Sequence, residues 1–144
     1  MKGTPTFVWN LLDLERVRWD GREKPSPGKH TLVFDFTYKG EGMASLASGI
    51  SGIGKSGTGV LKVDGKEVAS KKMARTVPLI LQWGETFDVG ADSGTPVDDK
   101  DYQVPFRFTG KLNKLTLQLN PVALSAADQK TLQDKARRNN AASQ

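Results

Sequence analysis

Glycine and proline interrupt this 144-residue chain so often that short strands joined by turns are favoured over long helices. The sequence contains 15 glycines and 7 prolines. Both residues mark turns, because glycine tolerates positive φ angles and proline fixes its own φ. At this length one domain is the default. The hydrophobic fraction of 37% is enough for one core.

Alternating apolar and polar side chains predict most of the strands between these turns. The clearest case is residues 31–39, where Leu32, Phe34, Phe36 and Tyr38 fall on one face at period two. A hairpin is predicted over residues 60–68, because Asp64-Gly65 suits the positive φ angles of a tight turn. Further strands are predicted at residues 6–10, 14–19, 77–83, 104–109 and 112–119.

Only the C-terminal segment has the composition of a helix. Ser125 is a suitable N-cap for a helix over residues 126–137, and Asn139–Gln144 are expected to fray. The predicted class is therefore all-β, an antiparallel β-sandwich or folded sheet of about eight strands. This β domain would occupy residues 1–122, and the helix and frayed tail residues 123–144.

The charge and composition narrow the classes of partner. The net charge of +5 suits either ordinary solubility or an anionic partner. Since no basic run is interleaved with aromatic residues, we expect no nucleic-acid binding. The absence of cysteine excludes disulfides, thiolate metal sites and a cysteine nucleophile. We find no signal-peptide h-region and no apolar run of membrane-spanning length, so we expect a soluble chain without a membrane partner.

Residues 49–56 match the P-loop pattern G-x-x-x-x-G-K-[ST] letter for letter. The chemistry of that motif requires a helix N-terminus placed after a buried strand. Here Gly57 and Gly59 follow Ser56, and each glycine inside a helix costs about 1 kcal/mol relative to alanine. We therefore expect a glycine loop and no nucleotide site.

His30, the one histidine, is expected to begin a strand and not to act in catalysis.

Residues 85–110 form the best candidate ligand site. They hold six of the 16 carboxylates of this basic chain. Calcium binds six to eight oxygens on tight loops, so Asp98, Asp99 and Asp101 are the candidate metal ligands. The interpretation that the sequence favours is that these acids cap turns in their own backbone.

Aromatic side chains offer a second kind of site. Trp9, Trp19, Tyr38, Trp83 and Tyr102 could form a sugar-stacking surface or simply belong to the core. The candidate ligand-binding residues are Trp83, Tyr102 and Arg107.

Six segments of the chain, taken in order, carry a recognisable pattern. They are Trp9–Arg16, Gly28–Phe36, Gly57–Lys66, Glu85–Gly90, Asp92–Pro96 and Tyr102–Gly110. The first three contain an N-L-L-x-L-E-R segment, a G-K-H-T strand and a G-T-G-x-L-x-V-D-G hairpin. In this order the segments resemble the C-terminal part of bacterial arylsulfatases, and the resemblance covers about residues 3–122.

The resemblance implies a non-catalytic accessory domain. Sulfatases of this family use a formylglycine from a C/S-x-P-x-R motif and a calcium ion, all in a catalytic domain upstream of the matched region. This chain has no such motif, since Pro27 follows Ser26 directly. The resemblance therefore implies a domain that packs on a sulfate-ester hydrolase domain and shapes its entrance, without sulfatase activity of its own.

Two other functions remain open from the sequence. One is a lectin-like module that binds anionic or sulfated glycans, with or without calcium. The other is an assembly element that pairs with a second copy through a sheet edge or face. A periplasmic or extracellular location would be expected if the chain shares the export of many arylsulfatases.

Overall fold

The computed structural model describes residues 3–39, 56–76, 86–120 and 126–142. These residues belong to two compact units, one drawn from residues 1–35, 59–71 and 81–118 and the other from residues 36–58, 72–80 and 119–144. The described part contains seven strands and one helix, which confirms the all-β class, with seven strands where about eight were predicted. The strand predicted at residues 77–83 and the N-cap at Ser125 lie outside the described residues.

The first two strands form an antiparallel hairpin, β1 (Thr6–Leu11) and β2 (Glu15–Asp20). Its turn carries positive φ angles of 48° at Leu12 and 61° at Asp13. The side-chain oxygen of Asn10 accepts a hydrogen bond from the backbone N–H of Asp13 at 2.8 Å, which helps to hold this turn. Both strands confirm the prediction, with their ends shifted by one residue.

The next three strands form one sheet in the order β3 (Leu32–Tyr38), β4 (Gly57–Val63) and β5 (Lys66–Met73). The predicted turn between β4 and β5 is confirmed, with φ angles of 49° at Asp64 and 81° at Gly65. Two successive positive φ angles match the twist of a hairpin, which is why Asp-Gly is favoured there. The hairpin extends beyond the predicted residues at both ends.

The last strands differ from the prediction. β6 (Ala91–Asp92) pairs with β7 (Phe106–Arg107), so the segment predicted as a strand at residues 104–109 has its partner earlier in the chain. Residues 111–120 form neither strand nor helix, and the strand predicted at residues 112–119 is wrong. Alternating apolar and polar residues show which face of a segment can be buried. To form a strand, the segment also needs a neighbouring strand with which its backbone can pair.

The helix α1 (Ala126–Ala142) begins where the sequence predicted it. It continues beyond residue 137, so the predicted fraying is wrong for residues 139–142. No glycine or proline interrupts this segment, and alanines at its end favour the helix. Within the described part of the chain, no helix has the length and apolar character needed to cross a membrane.

The first compact unit is built on Trp19, which is completely buried. Its ring lies edge-on to Phe7 and Phe34, with centroids 5.6 Å and 5.1 Å away. Phe7 and Phe34 stack on each other. The indole N–H of Trp19 donates to the carbonyl oxygen of Gly59 at 2.8 Å, so the buried polar atom of this aromatic cluster is satisfied.

We expect Gly59→Ala to destabilise the fold by about 1–3 kcal/mol, the usual range for overpacking a core. A Cβ atom at Gly59 would lie 2.6 Å from Cζ of Phe34 and 2.7 Å from Cζ2 of Trp19. Urea unfolding measured by tryptophan fluorescence gives the change. The control is Ser70→Ala at an exposed position of β5, which should stay within about 0.5 kcal/mol of the parent. Equal unfolding midpoints for the two variants would contradict this prediction.

Candidate functional site

The acid-rich segment at residues 86–110, which we call the acidic stretch, lies against one face of the β1–β2 hairpin. Side chains alternate along β2, so Arg16 and Arg18 point away from the face that buries Trp19. Asn10 lies opposite Arg16 in the strand register, and its side-chain NH₂ donates to the carbonyl oxygen of Val97 at 3.0 Å. The loop that starts at Val97 is therefore placed over the polar face of the hairpin.

Asp98 is the centre of this contact, with only 3% of its surface exposed. Its Oδ1 atom accepts a hydrogen bond from Nη1 of Arg16 at 3.0 Å, and its Oδ2 atom accepts one from Nη1 of Arg18. The backbone N–H of Lys100 also donates to Oδ1, at 3.1 Å. One buried carboxylate is thus shared by two guanidinium groups, an arrangement that offsets the cost of removing charges from water.

Four more carboxylates surround the two arginines, forming what we call the Arg–Asp cluster. The Nη1 atom of Arg16 lies 2.6 Å from Asp99, and the Nη1 atom of Arg18 lies 2.7 Å from Asp101. Five carboxylates therefore share two cations. The surrounding acids are Asp13 and Asp99 on Arg16, and Asp20 and Asp101 on Arg18.

The cluster shifts the pKa values of three of its members, raising those of Arg16 and Arg18 and lowering that of Asp98. Burial by itself would raise the pKa of Asp98, but the Lys100 N–H and the guanidinium groups outweigh burial, so this pKa is lowered. The pKa of Arg18 is raised, chiefly by its hydrogen bonds to Asp101 and Asp20. Asp98 and Arg18 are therefore both ionised near neutral pH.

The geometry gives the predicted calcium site no support. Asp98, Asp99 and Asp101 do lie near one another, but each is paired with a guanidinium group. No group of three or more His, Cys, Asp or Glu side chains is placed to hold a metal ion in the described ranges. At least one oxygen of each of these carboxylates accepts an N–H from a guanidinium group, and these bonds hold the loop. Calcium binding by these residues stays a prediction.

The rest of the stretch is held by its own side chains. Asp88 accepts hydrogen bonds from the hydroxyl of Thr86 at 2.6 Å and from the N–H and hydroxyl of Ser93 at 3.0 and 3.1 Å. The hydroxyl of Tyr102 donates to Asp92 and accepts from the N–H of Val97 at 3.0 Å. These bonds fold residues 86–102 into a structured connection.

The three predicted ligand-binding residues have different surroundings. Tyr102 is half-buried, its ring tilts against Phe106 with centroids 5.1 Å apart, and its hydroxyl is used twice inside the loop. Arg107 is exposed on β7. Trp83 lies outside the described residues. The sugar-stacking surface stays a prediction, although Trp19 is excluded from it by complete burial.

The P-loop-like segment lies mostly outside the described residues, but the element after it is a strand. β4 begins at Gly57, directly after Ser56. A strand therefore stands where a nucleotide-binding motif would require a helix.

A cavity of about 380 Å³ opens beside this strand in the second compact unit. Its lining includes two lysines, two hydroxyl side chains and no carboxylate among the described residues. The lining residues are Lys39, Ser56, Gly57, Thr58, Lys72, Met73 and Ala74.

Sequence reasoning missed the two arginines that organise the acidic stretch. The signal that could have found them was the spacing of Arg16 and Arg18, two cations on one face of a predicted strand in a chain with one dense acidic segment. Alternation could place them on a common face, but their partners lie 80 or more residues away. The pairing itself depends on the fold.

We find no protein-family model, no curated protein and no solved structure that matches this chain. The resemblance to the arylsulfatases therefore stays an expectation from the sequence.

We expect Asp98→Asn to destabilise the fold by about 3 kcal/mol at pH 7, the lower end of the range for breaking a buried ion pair, because both arginines are partly exposed. The lowered pKa of Asp98 gives stability that is present above its unfolded value and is lost as the pH falls through the folded value. The variant should therefore lose less stability than the parent below about pH 4.

Denaturant unfolding at pH 7, 4 and 3 measures both effects. Asp99→Asn is the control, because Asp99 is 57% exposed and bonds only Arg16 within the cluster. Its removal should cost less than about 1 kcal/mol. Similar losses at pH 7 for the two variants would show that Asp98 does not hold the loop.

Proposed function

We propose that this chain is a non-catalytic accessory domain that packs on a sulfate-ester hydrolase domain and shapes access to it. The proposal starts from the resemblance to the C-terminal part of bacterial arylsulfatases. The observation that carries it is a set of three exposed leucines of the first compact unit, which we call the leucine row. Its members, Leu112, Leu115 and Leu117, are 51%, 51% and 70% exposed.

The leucine row has the character of a contact surface. Leu115 and Leu117 expose their side chains two residues apart in a segment that forms no strand. Large apolar side chains exposed to water are disfavoured, and where they gather they mark interaction sites. Burying such leucines against another domain is worth about 25 cal/mol per Å² of apolar surface.

The chemistry of the acidic stretch agrees with a supporting role. Every described carboxylate of this stretch accepts hydrogen bonds from the chain itself. A hydrolase would need a nucleophile, a base or a metal-bound group directed at a substrate. Here the acids are used to hold a loop on a hairpin, which suits a domain that provides a rigid wall.

We expect Leu117→Asp to abolish binding to the separately produced catalytic domain of a bacterial arylsulfatase that lacks its own C-terminal region. Placing a charge in an apolar contact leaves it desolvated and unpaired. Co-elution on size-exclusion chromatography with light scattering measures the complex.

The matched control is Leu14→Asp, the same change at a leucine that is 82% exposed in the β1–β2 turn. This control should bind as the parent does. Failure of the parent chain to bind, or an equal loss in both variants, would contradict the accessory role. A parent chain that dimerises through the leucine row would instead indicate the assembly function.

A second function, binding of an anionic or sulfated glycan, is favoured by the lysine-lined cavity. Lys39 and Lys72 form no ion pair with any side chain in the described ranges, and Ser56 and Thr58 line the same space. A volume of about 380 Å³ is at the small end of the range for ligand pockets. Two ammonium groups and two hydroxyls are suitable donors for a sulfate group.

For this function we expect Lys72→Ala to weaken binding of a heparin-derived sulfated disaccharide about tenfold, the equivalent of one charge-assisted hydrogen bond. Lys66→Ala removes the same charge from the other end of β5 and should change binding much less. Titration calorimetry at low and high salt, with calcium and with a chelator, measures the affinity. No binding by the parent, or equal weakening in both variants, would exclude this cavity as the glycan site.

A further inference from the structure

His30 connects two parts of the first compact unit that are distant in sequence. It ends the loop that follows β2, and only Thr31 separates it from β3. Its Nδ1 atom lies 2.7 Å from Oδ2 of Asp64, in the β4–β5 turn. Its Nε2 atom lies 2.6 Å from the carbonyl oxygen of Ser26, in the loop.

Both partners of the ring can only accept hydrogen bonds. The carbonyl oxygen of Ser26 has no proton, so Nε2 must carry one. Asp64 is ionised, because its bonds to His30 and to the N–H of Thr31 lower its pKa. Nδ1 must therefore also carry a proton. Since neutral imidazole has a single N–H, this geometry requires the imidazolium cation.

We propose that the His30 imidazolium is a pH-sensitive latch that holds residues 22–29 on the β4–β5 turn and releases them as the pH rises. On the turn, the charged group facing the ring is the Asp64 carboxylate. On the loop, the facing group is the uncharged carbonyl of Ser26, which stands between Pro25 and Pro27. The latch therefore depends on one cation, one anion and one backbone oxygen.

The direction of the pH effect follows from the same contacts. The hydrogen bond to Asp64, and then the bond to Ser26, raise the pKa of His30. Stabilisation by a group with a raised pKa is complete below the unfolded value of about 6.5 and is lost as the pH rises through the folded value. The change therefore falls above the ordinary histidine value of about 6.5.

Loss of one proton should free the loop and leave the turn in place. The charged carboxylate of Asp64 is the stronger acceptor, so the remaining N–H stays with it and the Ser26 contact is lost. Asp64 remains attached to Thr31, the residue before β3, by two further bonds at 2.8 Å, from the N–H of Thr31 to its carboxylate and from its own N–H to the carbonyl oxygen of Thr31. The N–H of Gly21 stays bonded to the carbonyl oxygen of Pro5 at 2.8 Å, so the conformational change is confined to residues 22–29.

Nuclear magnetic resonance on the full chain tests the latch, because the single histidine gives an unambiguous signal. A titration of its ring signals from about pH 5 to about pH 9 should give a midpoint above about 6.5, with both ring nitrogens protonated below it. The ¹⁵N order parameters of Ser26, Gly28 and Lys29 should fall from about 0.85 towards about 0.6 through the same midpoint.

Two variants separate the latch from general charge effects. Asp64→Asn can donate to Nδ1 and should lower the midpoint to about 6.5 or below. Asp35→Asn removes the same charge from an exposed pair with Lys62 on neighbouring strands and should leave the midpoint unchanged. In His30→Gln the order parameters of the loop should no longer depend on pH.

A midpoint at or below about 6.5 in the parent chain would overturn the proposal. So would loop order parameters that stay constant through the titration, or equal shifts of the midpoint in Asp64→Asn and Asp35→Asn. None of these three results requires His30→Gln, so the test does not depend on whether that variant folds.

Discussion

The position of the acidic stretch depends on one interaction, the contact of the buried Asp98 carboxylate with Arg16 and Arg18. A buried ion costs several kcal/mol in lost hydration unless its geometry and hydrogen bonds compensate. Two guanidinium groups and the N–H of Lys100 supply that compensation. Because these donors come from β2 and from the loop itself, they fix the position of the loop on the hairpin.

Strand β2 connects this ionic contact to the apolar core. Its alternation places Trp19 in the aromatic cluster with Phe7 and Phe34 on one face, and the arginines against the acidic loop on the other. Because β2 makes contacts on both of its faces, it has little freedom to move. The hairpin therefore acts as a scaffold, and the acids that suggested a ligand site are part of its support.

Two surfaces that the chain does not use internally support the functions that we propose. The leucine row offers exposed apolar area, and the lysine-lined cavity offers two ammonium groups that pair with no side chain in the described ranges. These surfaces differ in chemistry, so they favour different partners, a protein domain for the first and an anionic group for the second. The accessory role that we propose combines the first surface with the resemblance of the sequence to the arylsulfatases.

The sequence by itself determined the local elements, because they depend on neighbouring residues. Alternation placed β1, β2 and β3, and Asp64-Gly65 specified a turn with two positive φ angles. The tertiary structure decided that Asp98 meets two arginines, that Phe106–Arg107 pairs with Ala91–Asp92, and that residues 112–119 form no strand. Periodicity shows which face of a segment can be buried, but its partner is chosen by packing and desolvation across distant parts of the chain.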